Sequence, residues 1–194
     1  MYPLGAGMRY EIRIGGLGGQ GVILCGMIIG KAASIFDGKH ATLIQAFGPE
    51  ARGSAASAQV TLSDQPIGYP YVRRPDVLVT LAPDAFSTFA PTLKEGGLLL
   101  YESELVTPEG LPAGTKMLGV PATRLAEELG RRLVMNIVMV GFFTATTRLV
   151  SFEAAQKAVL DSVPRGTEEL NRKAFEAGYA YGQKLLEAEE SRVV

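Results

Sequence analysis

The hydrophobic and polar positions along the chain predict strands that alternate with helices, followed by a helical C-terminal part. Strict alternation or a short apolar run predicts a strand, whereas apolar residues that recur every three to four positions predict a helix. The predicted strands cover residues 10–14, 40–47, 57–63, 77–82, 98–102 and 116–120. The predicted helices cover residues 20–36, a short stretch after Pro83 that Pro91 interrupts, and residues 122–129, 136–149, 152–163 and 167–190. This order predicts a three-layer α/β/α, Rossmann-like domain with a mostly parallel sheet.

Two of these elements carry more specific expectations. Residues 57–63 alternate between apolar and polar side chains, which favours an antiparallel or edge strand over the centre of a parallel sheet. The helix over residues 20–36 is apolar almost all round, so neighbouring elements should cover more than one of its sides. Gly26 and Gly30 would let such a neighbour approach its backbone, and Asp37-Gly38 should end it.

Three helix starts are predicted from side chains that accept a hydrogen bond from the first turn. Ser151 and Thr167 precede amphipathic segments and are predicted N-caps. Asn136 opens an apolar helix and is interpreted as an N-cap rather than as a ligand-binding residue.

Composition removes several classes of function. The 194 residues suit one domain, assigned to residues 1–194, and the net charge of −1 argues against a nucleic-acid binder. The apolar stretch 14–30 begins as a strand pattern and a run of glycines, so it is interpreted as a buried helix and not as a membrane span or a signal peptide. Residues 1–7 are expected to be a loose leader, and both Met1 and Met8 remain open as the start.

A single cysteine and a single histidine limit the chemistry that this chain can perform alone. Cys25 cannot form an internal disulfide framework or an all-cysteine iron–sulfur cluster, and it is expected to be an inert buried thiol. His40, expected at the surface, cannot by itself supply a His-rich metal site or a histidine-based triad. Cysteine usage of this kind indicates a reducing, cytoplasmic compartment.

A glycine-rich loop after the first strand is the first candidate site. Gly16, Gly18 and Gly21 have the spacing G-x-G-x-x-G, and a helix that begins near Gln20 would direct its free N–H groups at a ligand over the loop. We therefore take Gly16, Gly18, Gly19, Gln20 and Gly21 as candidate phosphate-binding residues. The alternative is that these glycines serve only to pack the turn. A dinucleotide site is disfavoured, because no acidic residue ends the second strand to bind the ribose.

The segment Gly-Pro-Glu-Ala-Arg-Gly after the second strand is the second candidate site. Gly48 and Gly53 permit turns at its two ends, Pro49 stiffens its entry, and Glu50 and Arg52 project from it. An arginine in this position could bind a phosphate or a carboxylate through two parallel hydrogen bonds. Since it follows the second strand, we expect the loop to lie beside the glycine loop. The alternative is a solvated loop in which the two charged side chains pair with each other.

These motifs together carry a family resemblance. GLGGQG after the first strand, FGPEARGS after the second, SDQPIGYPYVRRPDVLV, VMNIVMVG and NRKAFEAG closely resemble, in this order, the gamma subunit of 2-oxoacid:ferredoxin oxidoreductases. The resemblance extends from about Met8 to Gly182 and does not separate the pyruvate, 2-oxoglutarate, ketoisovalerate and indolepyruvate enzymes. One departure is Ser54, where the family has a second glycine after Arg-Gly.

The resemblance implies a subunit that is inactive alone and belongs to a complex with alpha, beta and delta-type subunits. Such a complex decarboxylates a 2-oxoacid on thiamine diphosphate, passes electrons through iron–sulfur clusters to ferredoxin, and transfers the acyl group to coenzyme A. The thiamine diphosphate and the clusters belong to partner subunits, and the gamma subunit contributes to the coenzyme A side of the active site. The isolated chain is expected to expose apolar surface and to self-associate. Two other classes stay open: an independent Rossmann-type nucleotide-binding domain and a purely structural assembly subunit.

Overall fold

The described residues, 8–47 and 55–191 of a computed structural model, form a six-stranded sheet with helices on both faces. The strands are β1 (Arg9–Leu17), β2 (His40–Phe47), β3 (Ala55–Ser63), β4 (Val77–Thr80), β5 (Leu98–Glu102) and β6 (Lys116–Val120). Their order across the sheet is β2-β3-β1-β4-β5-β6. β3 pairs antiparallel with both β1 and β2, and the pairs β1–β4, β4–β5 and β5–β6 are parallel. The predicted mostly parallel α/β sheet is confirmed.

Helices follow the strands and then continue alone at the C-terminal end. They are α1 (Val22–Lys31), α2 (Pro83–Phe89), α3 (Ala122–Glu128), α4 (Met135–Thr147), α5 (Phe152–Leu160) and α6 (Glu168–Glu190). A π-helical turn, Ala32–Phe36, continues α1, and the 3₁₀ turns Ala90–Thr92 and Arg132–Val134 follow α2 and precede α4. No helix in the described part of the chain combines the length and apolarity needed to cross a membrane.

The two faces of the sheet are covered unequally. In β4, Val77 and Val79 belong to the larger core, which the sheet shares with α1 and α3 to α6, whereas Leu78 belongs to a smaller core with α2. Ile12 and Ile14 of β1 are fully buried in the larger core. The prediction that α1 is covered on more than one side is also confirmed, because it packs against β3, β1, β2, α4 and α5.

β3 is antiparallel, as predicted, but the alternative that it is an edge strand is wrong. It lies between β1 and β2, and its alternation arises because its two faces have different covers. The apolar side chains, such as Val60, face the larger core. The polar side chains face the proline-rich segment 64–75, where the Gln59 Oε1 accepts from the Val72 N–H at 2.9 Å. The polar face of β3 therefore contacts the backbone of this segment and not solvent.

Helix α4 is the most deeply buried helix in the described part of the chain, and it crosses α6 at very close range. All of its thirteen residues are buried. A Cβ on Gly141 would overlap the carbonyl of Phe175, and a Cβ on Gly178 would overlap the carbonyl of Val138. The backbones of the two helices therefore touch, and only glycine fits at either position.

Two predicted helix starts need correction. Ser151 does cap α5, where its Oγ accepts from the Ala154 N–H at 3.2 Å. Thr167 occupies the N-cap position of α6, but its hydroxyl donates to the Pro164 carbonyl and makes no capping bond. Asn136 is not an N-cap: Val134 holds that position, and Asn136 lies inside the first turn of α4.

Candidate functional site

The glycine loop leaves the C-terminal end of β1, between β3 and β4. Gly16 and Leu17 still belong to the strand, and Gly18 and Gly19 are exposed at the tip of the turn. Gly19 has a φ of 94°, and a Cβ on it would meet no atom within 4 Å. A glycine is therefore needed at residue 19 for the backbone conformation and not because space is short.

Gln20 holds the loop in shape through both ends of its amide. Its Oε1 accepts from the Leu17 N–H at 2.7 Å, and its Nε2 donates to the Leu81 carbonyl at 3.0 Å. Its own N–H donates to the Leu17 carbonyl at 3.1 Å, so it does not face a cleft. A Cβ on Gly16 would approach the Gln20 Oε1 to 2.7 Å, which explains the glycine at that position. The two bonds of the Gln20 amide connect the loop to the ends of β1 and β4.

Helix α1 begins at Val22, two residues later than predicted, because its N-cap Gly21 adopts a left-handed conformation with φ 72°. This cap has no side chain, and the first turn contains no acidic residue. The first backbone bond of the helix runs from the Cys25 N–H to the Gly21 carbonyl. The N–H groups of Val22, Ile23 and Leu24 thus have no acceptor within the described residues. An uncapped helix N-terminus of this kind attracts anions.

Helix α4 brings one further polar group to this point. A Cβ on Gly21 would overlap the side-chain amide of Asn136, which is 4% exposed. The Cys25 thiol donates to the Asn136 carbonyl at 3.3 Å and so joins α1 to α4. The sequence placed Asn136 at a helix start but gave no sign of this contact, because Gly21 and Asn136 are far apart in the chain. Only the structure reveals the contact, through the left-handed Gly21 whose missing side chain leaves room for the Asn136 amide.

The second candidate loop, with Gly48, Pro49, Glu50, Arg52 and Gly53, lies outside the described residues. Its points of attachment are described. At the end of the sheet, the register pairs Leu17 with Ala55 and Phe47 with Ala56. The described residues on either side of this segment, Phe47 and Ala55, therefore lie at the end of the sheet where the glycine loop begins.

Other candidates are placed as predicted. Cys25 is buried, and desolvation raises the pKa of its thiol to about 12, so it is an inert thiol at neutral pH. His40 is exposed at the start of β2. Across residues 8–47 and 55–191, no group of three or more histidine, cysteine or acidic side chains could hold a metal ion.

Sequence reasoning missed one buried carboxylate. Glu102, at the end of β5, is completely buried. Its Oε2 accepts from the N–H groups of Glu104 and Leu105 at 2.9 and 2.7 Å, and its Oε1 accepts from the Thr123 N–H at 3.2 Å. All of these partners belong to the protein, so Glu102 fixes the turn after β5 and the start of α3.

Comparison with known proteins agrees with the fold and the motifs. The family model described as pyruvate ferredoxin/flavodoxin oxidoreductase matches residues 11–181. The chain is 47% identical over 180 residues to the 2-oxoglutarate synthase subunit KorC of Methanocaldococcus jannaschii, covering 92% of this chain and 96% of that one.

Solved structures show the same relation. The gamma subunit of a keto/oxoacid ferredoxin oxidoreductase from Geobacter sulfurreducens PCA is 44% identical, with a TM-score of 0.79, over 89% of this chain and 98% of that chain. A 2-oxoglutarate:ferredoxin oxidoreductase from Magnetococcus marinus, solved with 2-oxoglutarate, coenzyme A and succinyl-CoA bound, shares the fold. Its TM-score is 0.82 at 22% identity, over 91% of this chain and 31% of that chain. The chain therefore belongs to the pyruvate ferredoxin/flavodoxin oxidoreductase family, as a gamma subunit of a 2-oxoacid:ferredoxin oxidoreductase complex.

Proposed function

We propose that this subunit forms the coenzyme A side of the active site of its complex and holds the complex together. The complex converts a 2-oxoacid and coenzyme A to an acyl-CoA and carbon dioxide, and the electrons that are released reduce ferredoxin. The observation that carries the proposal is the start of α1, where free N–H groups meet an exposed glycine turn and no acidic side chain. Such a site suits the pyrophosphate of coenzyme A.

The residues of the proposed site fall into two loops. The first consists of Gly16, Gly18, Gly19, Gln20 and Gly21, of which Gln20 holds the turn and Gly21 begins the helix. The second consists of Gly48, Pro49, Glu50, Arg52 and Gly53, with Arg52 as the cation that binds phosphate. The pairing of Leu17 with Ala55 supports the proximity of the two loops.

The remaining chemistry is assigned to partners. With one cysteine and one histidine, this chain cannot ligate an iron–sulfur cluster alone, so clusters and thiamine diphosphate are placed on alpha, beta and delta-type subunits, with ferredoxin as acceptor. We place the complex in the cytoplasm and treat residues 1–194 as one domain. The 2-oxoacid to test first is 2-oxoglutarate, because the relative from M. jannaschii carries the name of a 2-oxoglutarate synthase subunit.

Exposed apolar side chains support a role in assembly. Met27 and Ile35 line one surface groove along α1 and the turn that follows it, and Phe36 in the same turn is exposed. Tyr69 and Tyr71 are also exposed and contact each other with ring centroids 5.5 Å apart. Surfaces of this kind are typical of subunit contacts. The isolated chain should therefore self-associate, and co-expression with the partner subunits should suppress this.

The test compares Gly19→Val and Arg52→Ala with the parent in the assembled complex. Neither change should affect assembly strongly. For Gly19→Val the reason is that a Cβ at residue 19 meets no atom and the strain of a left-handed valine costs only about 1–3 kcal/mol. Both should raise the KM for coenzyme A in acyl-CoA formation about tenfold or more, and Arg52→Lys should recover part of the loss because it keeps the charge.

Native mass of the complex, measured on the same samples, separates the alternatives. An unchanged KM with a smaller native mass would support the purely structural subunit. An unchanged KM and an unchanged mass would overturn the site. A chain that purifies without thiamine-binding partners and binds a nucleotide alone would instead support the independent nucleotide-binding domain.

A further inference from the structure

The side-chain amide of Asn136 lies at the junction of α1 and α4, against the start of α1. The residue is 4% exposed and lies in the first turn of α4. Its backbone carbonyl accepts from the Cys25 thiol, but its amide makes no hydrogen bond within the described residues. Contacts among the described residues therefore do not account for this amide.

Asn171 provides the comparison within the same molecule. It is 5% exposed and also lies in the first turn of a helix, α6. Its Nδ2 donates to the carbonyl and to the hydroxyl of Thr167, at 2.9 and 3.0 Å. The Asn171 amide thus has partners within the protein, whereas the Asn136 amide has none among the described residues.

The position of the Asn136 amide indicates what it binds. It lies against Gly21, where a Cβ would overlap it, so it reaches the N-cap of α1. There it joins the N–H groups of Val22 to Leu24, which have no acceptor among the described residues. The Asn136 Nδ2, which is the atom nearest to a Cβ built on Gly21, and these N–H groups are donors, and the first turns of α1 and α4 contain no acidic residue. The exposed Arg131 and Arg132, just before α4, add positive charge on the same segment.

We propose that Asn136 is a ligand-binding residue that donates from its Nδ2 to an anionic oxygen of a phosphate-class group held at the start of α1. This inference rests on the proposed function, in which that group is the pyrophosphate of coenzyme A. Gly21 then has two roles: its left-handed conformation begins the helix, and its lack of a side chain leaves the amide its place.

The first experiment measures acyl-CoA formation by the assembled complex with Asn136→Leu and Asn136→Asp. Leucine has a similar volume and no polar atom, so the melting temperature should stay the same or rise. The KM for coenzyme A should rise about tenfold with little change in kcat, since a hydrogen bond to a charged group is lost. Asn136→Asp should raise the KM further, because a carboxylate repels the anion. In the matched control, Asn171→Leu should lower the melting temperature and leave the KM unchanged.

A second experiment uses the full chain alone with sodium pyrophosphate as the probe, followed by ¹H–¹⁵N NMR. The side-chain NH₂ pair of Asn136, identified by its loss in Asn136→Leu, should shift together with the backbone amides of residues 22–24. The NH₂ pair of Asn171 should not shift. A pair for Asn136 that stays in place while the backbone amides move would overturn the inference.

The outcomes separate this inference from the proposed function. If Gly19→Val raises the KM for coenzyme A and Asn136→Leu does not, Asn136 is no ligand-binding residue although the function stands. If pyrophosphate shifts the Asn136 pair and neither variant changes the KM, the anion site stands and its assignment to coenzyme A fails. A melting temperature lowered by several degrees in Asn136→Leu, with an unchanged KM, would show a structural amide and overturn the inference.

Discussion

The crossing of α4 and α6 offers a sharp test of how this fold is held together. We consider Gly178→Ala. A methyl group at this position overlaps the Val138 carbonyl, so the helices must move apart. The crossing lies among Phe142 and Phe175, both completely buried, whose contacts would loosen with it. A gap of 0.5–1 Å forfeits roughly a quarter to a half of the dispersion energy of each affected contact.

The expected magnitude follows from two opposing effects. Alanine in place of glycine within a helix stabilises by about 1 kcal/mol. Overpacking of a well-packed core costs about 1–3 kcal/mol, and more where the obstacle is backbone, because backbone cannot change its rotamer. We expect about 3–5 kcal/mol for a methyl against a carbonyl, and hence a net loss of about 2–4 kcal/mol in the free energy of unfolding. For a chain of this size that corresponds to a melting temperature lower by on the order of 10 °C.

Urea unfolding followed by circular dichroism measures this loss, with Ala180→Gly as the control. Ala180 is exposed on the same helix, so that variant reports the propensity effect alone and should cost about 1 kcal/mol. The double variant Gly141→Ala/Gly178→Ala should cost less than the sum of the single changes, because the first methyl already separates the helices. If Gly178→Ala is as stable as the parent, the close backbone contact does not exist in solution and the reasoning is wrong.

Two further predictions concern buried groups. Glu102→Ala should lower the free energy of unfolding by about 3 kcal/mol, since the N–H groups of Glu104 and Thr123 lose their acceptor and the Leu105 N–H keeps only the backbone carbonyl of residue 102 at 3.3 Å. Glu102→Gln should cost less because it keeps one side-chain carbonyl oxygen, and thermal unfolding of both variants measures this. Burial raises the pKa of Cys25 from 9.0 to about 12, so between these values the unfolded state releases the thiol proton and the folded state keeps it. Stability should therefore fall with rising pH in this window by up to about 1.4 kcal/mol per pH unit, and the difference between the parent and Cys25→Ala should show this slope. A parallel pH profile for the two proteins would contradict the burial of the thiol.

Local pattern was sufficient to predict most of the sheet. The bounds of β2, β5 and β6 agree with the predicted ranges, because turn residues such as Asp37-Gly38 and Gly96-Gly97 mark where two of these strands begin. Gly38 and Gly96 indeed have φ values of 65° and 69°. Predicted strand ends are less accurate where no turn residue follows the strand directly. β4, for example, ends at Thr80, two residues before the apolar run ends.

The candidate site was predictable only in part, for a physical reason. The glycine spacing predicts a turn and a helix start, but the left-handed conformation of Gly21 and the brace from Gln20 to the Leu81 carbonyl depend on tertiary contacts. Asn136 shows the same limit. Local sequence rules predict that an asparagine at a helix start is an N-cap. Its position beside the glycine loop depends on the packing of α4 against α1, which local sequence does not specify.

The geometry of the proposed site follows from the core beneath it. Gly141 and Gly178 fix α4 against α6, and the bond from Cys25 to the Asn136 carbonyl fixes α4 against α1. The Asn136 amide thus reaches the anion site from a buried helix and not from a loop, which keeps its position when the loop tip moves. The two variants should consequently differ in which quantity they change most. Asn136→Leu removes a ligand contact and leaves the core intact, so it should change mainly the KM for coenzyme A. Gly178→Ala keeps Asn136 but loosens the helix packing that supports it, so it should change mainly the melting temperature. If both variants instead changed the KM for coenzyme A and the melting temperature in the same proportion, the amide would be one more part of the core.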